Sequence, residues 1–296
     1  MSLTRVLADV DGPVRRWFES RLPNLKPMRL AWRAAGRPIV LCPDEVKPGI
    51  VGAAFDYRLR YFFGATPAEQ LVAAAGAGDH EDWPAFAAAL DATVDRLQPA
   101  GRALGVEDEA ELARYCWVLA VFESHFRMGG LRYETPIDAL GPSPGIEALL
   151  GLAPAGGIED LGRLVSKLQA SPLAEMLDRP FCLNPKFRCA GRLVGGADAD
   201  LLVDGLLVEV KTTKNNTMKR REDGYQLLGY LLLDQHVDHE IDSLGFYLSR
   251  IPTLMTWPVA ELLEEIAGGP VDLADLRAEF AVACRAGADR LAIRRS

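Results

Sequence analysis

The sequence predicts an α/β fold in which a helical first half leads into a short β meander. Three observations predict it. Apolar residues recur at helical spacing through long stretches before residue 130. The pattern turns strand-like near residue 180. An Asp204-Gly205 dipeptide stands between two apolar runs, which is the strongest short-range hairpin signal. The 296 residues, 49% hydrophobic and 25% charged, supply a sizeable core.

Residues 1–107 read as a mostly helical, Ala-rich region packed on the remainder, punctuated by Pro43, Pro48 and Pro67. Within it, Val51, Phe55, Leu59 and Phe62 line one face of a helix over 49–65, and 83–98 reads as another, followed by Pro99 and Gly101. The clearest helix covers 108–130. Leu112, Tyr115, Cys116, Leu119, Phe122 and Phe126 form its apolar stripe, and Gly129-Gly130 stops it. The Gly- and Pro-rich stretch 131–157 reads as loop, and 158–177 as helix. A strand interrupted near Pro185 is expected over 180–191, then strands at 198–203 and 206–212 around the Asp204-Gly205 turn. A helix at about 221–235, a strand at 243–250, a helix at 257–268 and a last helix at about 272–290 complete a second region, 108–296.

The formal net charge of −8 disfavours a protein that coats nucleic acid non-specifically. An enzyme acting on nucleic acid needs only a local basic surface, so that class stays open. The five cysteines are odd in number and form no C-x-x-C pair, so neither a zinc site nor an iron–sulfur cluster is expected. They read as free thiols in a reducing, cytoplasmic setting. The N-terminal MSLTRVLADVDGPVRRW lacks an apolar signal core, and no apolar run has the length of a membrane span.

The stretch ADADLLVDGLLVEVKTTK (197–214) places Asp198, Asp200, Glu209 and Lys211 among apolar residues. A two-residue turn at Asp204-Gly205 sets Val203 opposite Leu206, Leu201 opposite Val208, Asp200 opposite Glu209 and Asp198 opposite Lys211. Side chains alternate faces along a strand, so all four charges fall on one face, and Leu201, Val203, Leu206, Val208 and Val210 fall on the other. Two opposed carboxylates repel unless positive charge lies between them. A divalent cation supplies it, and hard oxygen donors suit Mg2+ or Mn2+. Lys211 adds a cation on the same face. The ordinary alternative is a solvated hairpin with Asp198 and Lys211 as a surface ion pair.

Asp200, then Glu209-Val210-Lys211, then a helix with Gln226-Leu-Leu-Gly-Tyr230, resembles the PD-(D/E)XK nuclease superfamily, and within it the RecB-like and exonuclease-like branch. The match covers roughly 195–235, and the order of elements extends it to about 108–250. The resemblance implies a restriction-endonuclease-like core: helix, three-stranded meander, helix, strand. Asp200 and Glu209 match the metal-binding acids, the carbonyl of Val210 a further ligand, and Lys211 the catalytic lysine. Gln226 and Tyr230 lie one helical turn apart and face the site or the nucleic-acid backbone; otherwise they form a Gln–Tyr bond at a helix–sheet contact. Ala199, not Pro, precedes Asp200, and Asp198 rivals it for the metal role.

Family members also take an acid from an upstream helix, and two candidates stand. Glu123 lies on the apolar stripe of its helix, where a carboxylate must be paired or metal-bound. Asp56 lies in Gly52-Ala53-Ala54-Phe55-Asp56, which resembles the family's G-x-A-x-His helix with Asp in place of His; its alternative is an i,i+4 pair with Arg60. Glu123 ranks slightly first. Lys214, Lys219, Arg220 and Arg221 form a basic patch suited to a phosphodiester backbone. The implied function is a Mg2+- or Mn2+-dependent nuclease on nucleic acid, with DNA as the expected substrate. The alternative is an inactive nuclease-fold module that binds nucleic acid or serves a structural role.

Overall fold

The computed structural model describes residues 3–127 and 136–293, except the side chains of 188–190 and 291–293. The chain begins with α1 (Leu3–Ala8), α2 (Pro13–Arg21) and α3 (Lys26–Ala34), followed by α4 (Pro48–Phe63), α5 (Val72–Ala77), α6 (Trp83–Leu97) and α7 (Val106–Arg127). Next come α8 (Ile146–Leu150), α9 (Ala155–Gln169), β1 (Phe181–Leu183), α10 (Arg188–Leu193), β2 (Leu201–Val203) and β3 (Leu206–Lys211). Then α11 (Arg221–Leu233), β4 (Ser243–Leu248), β5 (Thr253–Pro258), α12 (Val259–Ala267) and α13 (Leu273–Ile293) close the chain. Among the described residues no helix is long and apolar enough to cross a membrane.

The strands form one mixed sheet in the order β1-β2-β3-β4-β5. β3 and β4 are parallel, joined by the α11 crossover, and the other pairs are antiparallel. The β2–β3 hairpin has the expected register, with Val203 opposite Leu206 and Leu201 opposite Val208. Asp204 and Gly205 take φ of 49° and 78°, the two positive values that a two-residue turn of the favoured hand requires.

Alternation along these strands divides the core in two. Leu201, Val203, Leu206 and Val208 join a layer with Val51, Phe55, Leu119, Phe122, Leu161 and Leu164 of α4, α7 and α9. Leu202, Leu207, Leu244 and Phe246 face the other way, onto Phe18 and Trp32 of α2 and α3, Leu227 and Leu231 of α11, and Phe280 of α13. Helices from residues 1–107 therefore contribute to both layers instead of forming a unit of their own: α1–α3 join the second, α4–α6 the first.

Three local expectations change. The strand expected over 180–191 is only β1; the chain then turns into α10, whose first turn closes through Gly191 N–H to Phe187 C=O at 2.7 Å. Pro185 has no N–H to continue a ladder. The strand β5 occupies 253–258, so the expected helix at 257 starts only after Pro258. The stretch read as loop holds α8 and the start of α9. The Gly129-Gly130 stop lies outside the described residues. Cys42, Cys116, Cys182 and Cys284 are free thiols.

Candidate active site

The paired part of β2 ends at Leu201, so the expected Asp198–Lys211 pairing does not form. Residues before Leu201 diverge, and Asp198 is exposed and bridges Lys186 instead. Asp200 still reaches the site by its side chain. Its Oδ2 accepts the Val210 N–H at 2.7 Å, continuing the hairpin with a side-chain acceptor. This fixes the carboxylate beside Glu209 and Lys211.

Lys211 is the hub. Its Nζ donates to Glu209 Oε1 at 2.8 Å and to Gln226 Oε1 at 3.0 Å, and lies 3.7 Å from Asp223 Oδ1 in the first turn of α11. Gln226 Nε2 donates to the Tyr230 hydroxyl at 2.8 Å. An ammonium can only donate, so the Gln226 carbonyl must face Lys211 and its NH2 must face Tyr230. The phenol oxygen is then an acceptor, and its own proton is left to give elsewhere. Phe187 stacks on the Tyr230 ring, 5.6 Å between centroids at 9°, and holds it in place.

From the other layer, α4 passes close to the end of β3: a Cβ on Gly52 would sit 3.8 Å from the Thr212 Cβ. One turn later Asp56 faces the hairpin acids. Asp56 pairs with Arg60, and Glu123 of α7 pairs with Arg127. The i,i+4 pair of Asp56 with Arg60 forms, and Asp56 also lies near the hairpin acids. Of the two upstream acids, Asp56 is the one whose charge acts on both Asp200 and Glu209. Glu123 stands behind it, against Asp56 and Tyr57.

Burial dominates the electrostatics. It holds the Asp200 carboxyl well above the usual carboxylate range, and the charges of Glu209 and Asp56 push the same way, against the Val210 N–H and Lys211. Burial also raises Glu209, with Lys211 opposing, and raises Asp56, with Arg60 opposing. For Lys211, burial works against the charge, but Glu209 and Asp223 outweigh it and keep the ammonium protonated. Burial, then Glu209 and Asp200, hold the Tyr230 phenol well above its usual value, so it keeps its proton.

Three buried carboxylate oxygens of this cluster have no hydrogen-bond partner: Asp56 Oδ1, Glu123 Oε2 and Glu209 Oε2. Such atoms are costly, roughly 1–3 kcal/mol each. Among the described residues no group of three or more His, Cys, Asp or Glu side chains is arranged to hold a metal ion. The acids are engaged instead by Arg60, Arg127, Lys211 and the Val210 amide. The unpartnered oxygens of Asp56 and Glu209 are hard donors of the kind that Mg2+ or Mn2+ takes through one or two carboxylates, with water and phosphate in the other positions.

Lys214, Lys219 and Arg220 are exposed on the loop that leaves β3. The Trp32 indole N–H anchors that loop by donating to Asn215 C=O at 3.3 Å. Arg221 does not join them. It donates to the Tyr225 hydroxyl at 2.8 Å and to Pro23 C=O, tying α11 to the α2–α3 junction. Sequence reasoning missed Asp223, Phe187 and Arg127. Of these, only Arg127 had a signal, its i,i+4 spacing from Glu123. A groove of about 770 Å3 lined by Ile39, Leu41, Val106 and Ile158 includes none of the four acids. No family model, curated protein or solved structure matches this chain.

Proposed function

We propose that this chain is a metal-dependent nuclease with a PD-(D/E)XK-type core, hydrolysing phosphodiester bonds, with DNA as the expected substrate. One observation carries the reading. Asp200, just before β2, and Glu209 of β3 stand beside the charged Lys211, Asp56 of α4 acts on both acids with Glu123 of α7 behind it, and three of these oxygens lack partners. A purely structural site gains nothing from that repulsion. The run α7–α9, β1, α10, β2, β3, α11, β4 supports the reading in its order of strands and flanking helices, with α10 inserted in the meander that the superfamily resemblance implies.

In this reading Asp200, Glu209 and Asp56 would hold the cation, with Glu123 supporting Asp56 and the Val210 carbonyl as a further ligand. A bound Mg2+ or Mn2+ supplies Lewis-acid charge at the phosphate and eases deprotonation of the attacking water. Lys211, aimed by Gln226, donates to the charge that develops on the phosphate oxygens. Tyr230 donates its free proton to an adjacent phosphate oxygen. Lys214, Lys219 and Arg220 hold the flanking backbone without reading its sequence.

A second reading has one observation in its favour. Lys211, Arg60 and Arg127 already pair with the acids, which would suit a nuclease-fold module that binds nucleic acid without cutting it. Calorimetric Mn2+ titration beside a cleavage assay separates the two. A nuclease binds Mn2+ and cuts; a module of this kind leaves every substrate intact.

A further inference from the structure

We propose that Arg127 is a catalytic residue of this site, a clamp that takes a substrate phosphate and rests on Glu123 until the phosphate arrives. The inference rests on the nuclease reading above. Three cations pair with three of the four acids, and they differ in access. The side chains of Arg60 and Lys211 are 7% and 19% exposed, whereas that of Arg127 is 64% exposed. Its partner, Glu123, is 5% exposed. The guanidinium therefore sits at the solvent side of a buried acidic cluster, where a polymer backbone would approach.

Its position is central as well as open. Arg127 lies in the last described turn of α7. Its charge is felt by Asp56 of α4 and by Tyr230 of α11. Its hold on Glu123 leaves Glu123 Oε2 without a partner. A planar guanidinium presents paired donors that match a phosphate, which a point-charge lysine cannot reproduce. A cation bound by the acids would neutralise the charge that keeps Arg127 on Glu123, which frees the fork for phosphate. Tyr230 and Lys211 donate from within the cluster, so Arg127 would complete a three-sided grip.

The test compares wild type, Arg127→Lys and Arg127→Ala. It measures binding of a fluorescein-labelled DNA duplex in Ca2+, cleavage of that duplex in Mn2+, and Mn2+ binding to the free protein. The expected result for Arg127→Ala is roughly a 10²-fold loss of kcat, the scale for one preorganised donor. Duplex binding should be weaker, and Mn2+ affinity unchanged or tighter because a competing cation is gone. Arg127→Lys should fall between. If wild type cuts and Arg127→Ala binds and cuts equally well, this inference fails alone. Loss of Mn2+ binding in Arg127→Ala would also overturn it, by showing that Arg127 only orients Glu123. If wild type neither binds nor cuts this duplex or the same DNA as a single strand, the nuclease reading falls and takes the clamp with it.

Discussion

Asp200→Asn should make the protein more stable and inactive at once. The carboxylate is buried, faces Glu209 and Asp56, and has one compensating bond, from the Val210 N–H at 2.7 Å. Asparagine keeps an oxygen for that N–H, and its NH2 can donate to Glu209 Oε2, which now has no partner. Relief of the repulsion, partly offset by the fixed amide, should give about 1–2 kcal/mol, the usual scale of one stabilising substitution. In a chain of this size that is roughly 2–3 °C in Tm. The pH dependence carries the sign. Asp200 and Glu209 have raised values in the folded state, so folding takes up protons. Their contribution is most favourable below the usual carboxylate range, near pH 4, and is lost as pH climbs through the raised values. Glu222, lowered in the folded state, slopes the other way, but it is common to both proteins and cancels in the difference. The assay is thermal unfolding of metal-free wild type and variant from pH 4 to 8. The gap should widen with pH, and Mn2+ should close it by stabilising wild type alone. A variant less stable than wild type at pH 8, or a gap that does not change with pH, would refute the argument.

Two further substitutions probe other parts of the site. Lys211→Ala should cut the cleavage rate by about 10²–10³, the worth of one preorganised donor, while calorimetry shows Mn2+ affinity largely kept, because lysine is not a ligand to a hard cation. Gly76→Ala should destabilise the fold by several kcal/mol, since the added Cβ would meet Phe122 C=O at 1.9 Å and force α5 away from α7 next to Glu123; a change in Tm under about 2 °C would contradict the packing.

The hairpin was legible because two signals agreed: Asp204-Gly205 fixed the register, and the alternation of Leu201, Val203, Leu206 and Val208 fixed the buried face. The long helices were legible from their stripes. What escaped depends on contacts distant in sequence. Parity alone extended β2 back to Asp198, but the chain leaves the ladder after Leu201, and Asp200 reaches Val210 with its side chain instead. β5 sits at the sheet edge with mixed burial, so Thr253–Pro258 carries no clean alternation. Phe187 looked like part of a strand, and only the folded chain brings it under Tyr230. Glu123 ranked above Asp56 on its apolar stripe, yet a buried carboxylate can be satisfied by Arg127 on its own helix, and Asp56 is the acid that faces the hairpin.

The central claim is that the acids around Lys211 serve phosphodiester hydrolysis. The most direct measurement incubates wild type with linear, circular and single-stranded DNA and with RNA, in Mn2+ and in chelator, and resolves the products on a gel. The account predicts cleavage of at least one DNA substrate in Mn2+ and none in chelator. Intact substrate in every lane with Mn2+, or equal cleavage in chelator, would contradict it.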